Sequence, residues 1–499
     1  MLEQIIAGSR SLQPEIALSV TFCVVLIADL IAGKRRGVLP WIALAGLLVT
    51  AYCLAWQGSG GTSSVLFNMF AVDAFSLFFK TVILISSGII VLFSVQSSEL
   101  NLGKRPVGEY YALLIALTLG MFLMTGASNL LMMYLSLELT SISSYILAGY
   151  LREARDSNEA SLKYVIYGAA SSGLMLYGIS ILYGLTGAVD IYGVNRVLAA
   201  GGVSPAALLI AGVLIIAGFG YKISAVPFHF WTPDVYEGAP ITITAFLSVA
   251  SKAAGFAMMI RFLKVSFIDA ALAGSAVGAW QILAGFEWNR VLAIISVLTM
   301  TLGNLVAIWQ NNLKRLLAYS SIAHAGYMLL GVVVLSNEGV AAILIYFVVY
   351  LFMNLGAFYV VMLVADKTGS EDIEAYRGLG YRAPFVAVTF TIFLLSLTGI
   401  PPTAGFIGKL YLFAALINAK MFWLAIVAVL NSVVSLYYYV RILRNMFLRA
   451  PEGATEPVRF GWTQIAILLL LLIPTLLLGL YFGPLVQIAQ ASVSMFGVH

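Results

Sequence analysis

The chain has 499 residues, of which 61% are hydrophobic and only 10% charged, with a net charge of +5 and a mean hydropathy of +0.99. This composition excludes a water-soluble globular protein and predicts a polytopic membrane protein, because apolar stretches of about 20 residues recur along the whole length. The two cysteines, Cys23 and Cys53, and three scattered histidines exclude an iron–sulfur cluster or a structural zinc site, which need larger ligand sets.

Apolar runs bounded by glycine, proline or charge predict fourteen membrane-spanning helices and therefore an all-α fold. The predicted spans, in chain order, are 12–33, 38–57, 70–96, 108–126, 128–150, 159–187, 204–225, 241–263, 288–310, 313–335, 338–365, 383–417, 420–446 and 462–487. The segment 1–13 lacks the basic region of a cleaved signal peptide, so the first helix is expected to be retained.

Lysines and arginines are unevenly divided between the two sets of alternate loops. One set holds fifteen of them, and the other, counted to include helix ends, holds six. Because short loops on the cytoplasmic side of a membrane are enriched in basic residues, both termini are expected on the outer side. This topology explains the positive net charge better than an anionic partner does.

Two of the spans are interrupted by prolines. The seventh meets Pro227 and Pro233, and the twelfth contains the segment Gly399–Gly405. Broken helices at corresponding places in two halves predict a transporter built from repeats, in which the exposed backbone lines a wet cavity.

The spacing of titratable residues also recurs in the two halves. Glu138 precedes Lys222 by 84 residues, and His324 precedes Lys409 by 85. In each pair a titratable group lies two helices before a broken helix, and a lysine lies at the break. This recurrence supports the prediction of two repeats.

Lys222 lies between the apolar run 206–219 and the proline-containing break. A cation at membrane depth costs roughly 2.5–3.5 kcal/mol even on lenient insertion scales, so it calls for a functional reason. Glu138 is flanked by apolar residues along its helix, and its protonation would depend on the charge of a nearby lysine. The two residues therefore predict a proton switch. The alternative is a buried structural carboxylate that ties helices together.

Two further lysines lie within polar stripes at helical spacing. The stripe of Lys252 consists of small and polar residues, namely Thr244, Ser248, Ser251 and Gly255. Lys163 shares a helical face with Tyr167 and Ser171. Such a stripe forms either a close helix contact or the wall of a hydrated path, and a lysine at its centre favours the hydrated path.

His324 lies on a predicted helix beside Ser320, Ser321 and Tyr327. An imidazole has an unperturbed pKa of about 6.5, which suits proton relay. The alternative for His324 is a neutral histidine that is hydrogen-bonded within the bundle. His229, in the loop after Lys222, is as readily structural as functional.

Two other basic residues have simpler explanations. Lys80 follows Asp73 at the spacing of one helical face, so a local ion pair is at least as well supported as transport. Arg441 lies near the cytoplasmic end of its span, where a long side chain can reach the headgroup region. The segment Gly378–Ala383 mimics a dinucleotide-binding motif but has no preceding strand, and the chain contains no Walker A sequence, so no nucleotide is expected to bind.

Five segments of the chain, in this order, resemble the subunit N family of NADH-quinone oxidoreductase, respiratory complex I: Ser161–Tyr164, Gly168–Gly173, Lys222–Pro240, Lys314–Tyr327 and Gly399–Lys409. The resemblance covers essentially the whole chain. It implies the fold of the antiporter-like membrane subunits, which have about 14 helices, two inverted five-helix repeats and broken helices 7 and 12. The lysine at position 409 resembles that of subunits N and L, whereas subunit M resembles a version with a glutamate there. An end at His499 without a long lateral helix is unlike a typical subunit L.

The resemblance also implies a division of the chain and roles for its charged residues. The implied segments are three helices in 1–106, a first repeat of helices 4–8 in 107–264, a connecting loop in 265–287, a second repeat of helices 9–13 in 288–447, and a C-terminal loop with helix 14 in 448–499. Glu138 and Lys222 are expected to form the first half-channel pair, Lys252 to join the two halves and Lys409 to serve the outlet. Lys163 and His324 fall in matching motifs and are also expected to take part.

The function implied by the resemblance is proton translocation in the bacterial inner membrane, driven by quinone reduction in neighbouring subunits. NADH, FMN, iron–sulfur clusters and quinone are expected in other subunits, with no cofactor or metal held by this chain. The expected partners are the other membrane subunits, including related antiporter-like ones, and the lipid bilayer; no nucleic acid is expected. Two alternatives stay open, namely a subunit of a multisubunit sodium/proton antiporter and a scaffold whose lysines are structural ties.

Overall fold

The computed structural model describes residues 8, 11–32, 36–59, 61–101, 107–269, 280–283, 287–450 and 457–496. Within these ranges the helices, labelled in chain order, are α1 Gln13–Ala32, α2 Leu39–Ser59, α3 Ala74–Gln96, α4 Ser98–Asn101, α5 Val107–Gly126, α6 Leu130–Ala148, α7 Arg155–Thr186, α8 Ile191–Ala200, α9 Pro205–Ile223, α10 Trp231–Gly238, α11 Ile241–Phe267, α12 Trp288–Ala307, α13 Leu313–Val333, α14 Asn337–Thr368, α15 Leu379–Arg382, α16 Pro384–Thr398, α17 Ala404–Asn418, α18 Phe422–Leu448, α19 Trp462–Leu480 and α20 Gly483–Ala491.

Thirteen of these described helices are long and apolar enough to cross a membrane. Two shorter apolar helices, α16 and α17, follow each other in the chain and together correspond to the twelfth predicted span. The all-α fold with fourteen predicted crossings is therefore confirmed. Most residues of the outer helices α1, α2 and α19 are at least partly exposed, as in lipid-facing helices, whereas α11 is buried along its whole length.

The chain between α2 and α3 contains a short antiparallel hairpin that was not predicted. Strand β1 (Ser63–Val65) pairs with strand β2 (Phe70–Val72). Helix α3 consequently begins after Asp73 rather than at position 70. The Asp73 carboxylate caps the helix by accepting a hydrogen bond of 2.8 Å from the Ser76 backbone N–H, which satisfies one of the donors that a helix start leaves free.

The second half of the bundle repeats features of the first half. Helices α7 and α14 are each 32 residues long, and each ends at a glycine in the left-handed region. The preceding helices, α6 and α13, are capped by Asn129 and Asn312, which form isolated bridges to Asp190 and Asp372 respectively. Because each repeat contains five crossings, the second repeat enters the membrane from the opposite side. The fold thus has the two inverted repeats that were predicted.

Some predictions concern residues outside the described part of the chain. The connecting loop predicted for 265–287 is described only at 265–269, 280–283 and 287. Five of the basic residues used to predict the topology also lie outside, namely Arg10, Lys34, Arg35, Lys104 and Arg105. The domain boundaries and the side of the membrane on which the termini lie therefore stay predictions.

Three interruptions of regular α-helix lie inside the bundle. The seventh crossing ends at Ser224, which adopts the left-handed conformation, and the chain turns before it continues as α10. The twelfth ends at Gly399, with φ of 89°, before α17 begins. The third interruption was not predicted: residues Leu247–Ser251 of α11 form a π-helical turn immediately before Lys252. Such interruptions leave backbone carbonyls free to bind side chains.

Candidate functional site

Lys222 is buried at the end of α9, next to the first helix break. Its Nζ atom donates a long hydrogen bond of 3.4 Å to the Ser141 hydroxyl of α6. Its aliphatic stem packs on Gly255 of α11, where an added Cβ atom would lie 3.2 Å from Lys222 Cγ. The side chain of Lys222 therefore connects α6 with α11, the helix that carries Lys252.

Glu138 lies on α6, one helical turn before Ser141, so both residues share the face that Lys222 approaches. Glu138 is partly buried, and within the described residues its buried Oε1 atom has no hydrogen-bond partner. The carboxylate interacts electrostatically with the Lys222 ammonium without forming a direct hydrogen bond. The Lys222–Ser141 hydrogen bond thus brings Lys222 to the helix that carries Glu138, and the role of Glu138 and Lys222 as the first half-channel pair stays a prediction.

Lys252 is buried and follows the π-helical turn of α11. Its Nζ atom donates hydrogen bonds to the Ser321 carbonyl oxygen at 2.8 Å and to the Ser321 hydroxyl at 2.9 Å. Ser321 belongs to α13 in the second repeat, and Asn354 of α14 donates to the hydroxyl of Ser248 in the π-helical turn at 2.6 Å. Lys252 therefore lies at the contact between the two repeats, and its role in joining them for proton transfer stays a prediction.

His324 lies one turn after Ser321 on α13 and is buried. Its Nδ1 atom is 2.7 Å from the hydroxyl of Tyr346, and its ring packs against Tyr327 and Tyr350. These partners are neutral hydroxyl and aromatic groups, so the histidine is held by hydrogen bonding without a counter-charge.

Lys409 is buried on α17, close to the second helix break. Its Nζ atom donates to the Thr398 carbonyl oxygen at 2.7 Å and to the Ser432 hydroxyl at 3.0 Å, and it lies 4.6 Å from the centre of the Tyr327 ring. Thr398 is the last residue of α16, so the broken helix presents a free carbonyl, at its partially negative end, to the ammonium group. Tyr327 contacts both His324 and Lys409 and so connects them.

Lys163 does not join this buried group. Its side chain is 37% exposed, and its Nζ atom forms ion pairs with Asp234 at 2.6 Å and Glu159 at 2.9 Å. Asp234, on α10, is also paired at 2.7 Å with Arg315, which in turn contacts Glu237 at 2.6 Å. The expectation that Lys163 takes part in proton transfer stays a prediction, and its geometry is that of an ion-pair network at the end of the bundle.

The Asp234 network links the two repeats, because Lys163 and Asp234 belong to the first and Arg315 to the second. Burial raises the pKa of Asp234, but the hydrogen bonds from Lys163 and Arg315 and the charges of both cations lower it further, so the carboxyl group has a lowered pKa. Arg315 is one of the fifteen basic residues in the larger set of loops, and the sequence indicated no further role for it. Its partners are distant in the chain, so no local pattern identified them.

The predicted local ion pair between Lys80 and Asp73 is wrong. Lys80 is buried and pairs at 2.6 Å with Glu15 of α1, whereas Asp73 forms two hydrogen bonds, of 2.7 and 2.8 Å, with Arg261 of α11. Asp73 cannot turn toward Lys80, because its carboxylate also caps α3. Glu15 and Arg261 were missed because their partners lie far away in the sequence.

Among the described residues, no three histidine, cysteine, aspartate or glutamate side chains come together as a metal site. Cys23 and Cys53 are free thiols. The site is therefore made of three buried lysines, a partly buried glutamate and a buried histidine, held by hydroxyl and carbonyl groups at or near interrupted helices.

Inverted repeats, two broken helices and a buried lysine at or beside each interruption define the class of antiporter-like membrane subunits. Residues 127–435 match the model of the family described as NADH:quinone oxidoreductase/Mrp antiporter, TM. A protein of Chloroherpeton thalassium named NADH-quinone oxidoreductase subunit N 2 is 49% identical over 495 residues, which is 98% of this chain and 95% of that protein. The chain belongs to the subunit N family of NADH-quinone oxidoreductase.

Solved structures share the fold over nearly the whole chain. A chain of respiratory complex I from Thermus thermophilus with bound Aureothin has a TM-score of 0.75 and 31% identity, covering 94% of this chain and 98% of that one. A chain of the Mrp complex from a Dietzia species has a TM-score of 0.83 with 22% identity, covering 97% of both chains. The second likeness shows the fold alone.

Proposed function

We propose that this protein is a proton-translocating membrane subunit of an NADH:quinone oxidoreductase, with Glu138, Lys222, Lys252, His324 and Lys409 as the groups that carry protons. The observation that supports it most directly is the chemistry around the three lysines. Each ammonium group donates to serine or carbonyl oxygens rather than forming a direct ion pair. Neutral partners hold a lysine in place without neutralising it, so its charge can change without breaking an ion pair.

The contacts support an order of transfer. A shift of charge toward Glu138 would alter the proton affinity of Lys222, whose stem packs against Gly255, one turn after Lys252. Lys252 then contacts α13, on which His324 lies one turn after Ser321. Tyr327, in contact with both His324 and Lys409, leads to the outlet side. Lys163 would contribute by holding Asp234 rather than by carrying a proton.

The free energy would come from other subunits. NADH, FMN, iron–sulfur clusters and quinone would supply and accept electrons there, whereas this chain would bind and release protons. We further propose that the protein lies in a bacterial inner membrane with both termini on the outer side, which the basic bias of alternate loops supports.

The test is made on the intact complex in proteoliposomes, in which NADH:quinone reduction and proton uptake are measured together. Lys222→Ala and Lys252→Ala are expected to slow proton translocation strongly, because each removes a group that no described neighbour can replace. Lys367→Ala is the matched control, since Lys367 is an exposed lysine at the end of α14. Unchanged reduction and pumping in both buried-lysine variants would show that the lysines are structural ties.

A sodium/proton antiporter subunit is the second candidate. It is less well supported, because the relative at 49% identity is named as a subunit N, whereas the Mrp likeness lies at 22% identity. Sodium-dependent proton exchange by the purified complex without an electron donor would favour the antiporter. Proton uptake that requires NADH and quinone and does not depend on sodium favours the proposed function.

A further inference from the structure

A cavity of about 280 Å³ lies at the end of α18, beside Asn311 in the loop after α12 and the segment before α15. Three guanidinium groups line it, those of Arg441, Arg444 and Arg449, together with the carboxylates of Asp372 and Glu374. It lies at the end of the bundle that the charge bias predicts to be the inner side. None of the groups proposed to carry protons lines it, so the proton path leaves this concentration of arginines unexplained.

The hydrogen bonds in the cavity leave positive donors unused. Arg449 pairs with Glu374 at 2.9 Å, which neutralises one cation and one carboxylate. Arg441 donates through Nη1 to the Ile308 carbonyl oxygen at 2.9 Å and through Nη2 to the Gln310 carbonyl oxygen, but its buried Nε atom has no acceptor among the described residues. Arg444 is exposed, and it has no ion pair or hydrogen bond in the described part of the chain, so its charge is open to an anion from outside.

A buried guanidinium N–H without an acceptor is unfavourable, and a bound anion removes that penalty. Arginine is well suited to this, because its fixed fork of donors matches the oxygens of a phosphate group. The exposed carboxylate of Asp372 opposes a bound anion. Among the described lining residues, Arg441 and Arg444 carry one positive charge more than Asp372 can neutralise, since Arg449 and Glu374 neutralise each other.

The surroundings distinguish a lipid headgroup from a soluble anion. Exposed apolar residues continue from the cavity toward the middle of the membrane along α18 and α12, including Tyr437, Val433, Leu305 and Leu298. Trp309 lies just beyond α12 and is 81% exposed, as expected for an indole at the level of the headgroups. The arginines are therefore placed at headgroup depth, with a surface for acyl chains directly beside them.

We propose that this cavity binds the phosphate group of an anionic phospholipid, with Arg444 as the main positive charge and Arg441 Nε as a second donor. The acyl chains lie on the exposed surface of α12 and α18. Since Arg441 also holds the carbonyl groups that follow the end of α12, the bound lipid would fasten α12 to α18 at this end of the bundle. The proposal does not depend on the proposed proton path.

The test uses the intact complex in phosphatidylcholine vesicles that contain a photoactivatable lipid with a diazirine in one acyl chain. Phosphatidylglycerol and phosphatidylcholine probes with the same chain are compared, and labelled peptides of α12 and α18 are quantified. The phosphatidylglycerol probe is expected to label these helices about tenfold more than the phosphatidylcholine probe, because only the first offers an uncompensated phosphate to the arginines. Equal labelling would reduce the site to an apolar surface and overturn the proposal.

Two variants locate the binding charge. Arg444→Gln is expected to lower phosphatidylglycerol labelling about tenfold, whereas Arg459→Gln, which removes an exposed arginine that does not line the cavity, is expected to change it less than about twofold. Equal losses would show a general attraction to basic loops and no built site. Excess inorganic phosphate is expected to leave the labelling unchanged. If it abolished the labelling, the cavity would be a site for a free anion and not for a lipid.

Discussion

The ion pair of Asp73 and Arg261 fastens the start of α3 to α11. Both side chains are 0% exposed, and Arg261 also donates to the Thr125 carbonyl oxygen at 3.1 Å. Asp73→Asn keeps the size of the side chain but leaves the guanidinium buried without its counter-charge. Breaking a buried pair in this way is expected to lower the free energy of unfolding by about 3–5 kcal/mol, whereas an exposed pair is worth only about 0–1 kcal/mol.

The assay is heat inactivation of the purified complex, together with the yield of assembled complex. Asp73→Asn is expected to lower both, whereas the control Glu374→Gln, which breaks the exposed pair with Arg449, is expected to change neither. The double variant Asp73→Asn with Arg261→Met is expected to recover most of the loss, because it buries no unpaired charge. A single variant as stable as Glu374→Gln, or a double variant no better than the single one, would refute this reasoning.

The Asp73–Arg261 pair makes the stability of the protein depend on pH. Burial raises the pKa of Asp73, but the charge and hydrogen bonds of Arg261 and the backbone donors Phe496 and Ser76 lower it further, so its net pKa is lowered. The unfolded carboxyl group, with a pKa of about 3.9, takes up a proton at higher pH than the folded one. The pair therefore contributes fully above about pH 4, and its contribution is lost as the pH falls through the folded pKa. The stability difference between wild type and Asp73→Asn should be constant around neutrality and shrink in acid.

Three further predictions concern the candidate site. Ser321→Ala removes one of the two hydrogen-bond acceptors of Lys252 and is expected to slow proton translocation about tenfold, because a hydrogen bond to a charged group is worth about 1.5–3 kcal/mol. Stopped-flow proton uptake measures this rate, and a rate within twofold of wild type would contradict the prediction. Lys163→Gln is expected to slow proton uptake by less than about twofold, since the ion pairs of Lys163 are half-exposed. A decrease in rate as large as that of Lys252→Ala would place Lys163 in the proton path. Asp234→Asn is expected to lower heat stability by about 1 kcal/mol, because Lys163 and Arg315 lose a shared partner. Because the pKa of Asp234 is lowered, the difference in heat stability between wild type and Asp234→Asn should be constant above about pH 4 and smaller in acid. A difference that changed around neutrality would contradict the lowered pKa of Asp234.

Properties of the fold that depend on local sequence were predictable. Membrane crossings follow from runs of about 20 apolar residues, and the breaks of the seventh and twelfth helices follow from Pro227, Pro233 and the segment Gly399–Gly405. The π-helical turn before Lys252 was not predictable, because no proline or glycine lies within it and neighbouring helices stabilise it. The hairpin before α3 was missed for a similar reason, since its strands are only three residues long.

By itself, the sequence determined which residues are out of place in a membrane, because the penalty for burying a charge depends on the apolar segment around it. It singled out Lys222, Lys252 and Lys409 in this way. Only the tertiary structure decided which partner each charge has. It placed Lys163 with Asp234 in a half-exposed network, because ion pairs between residues distant in the chain form only where folded helices meet.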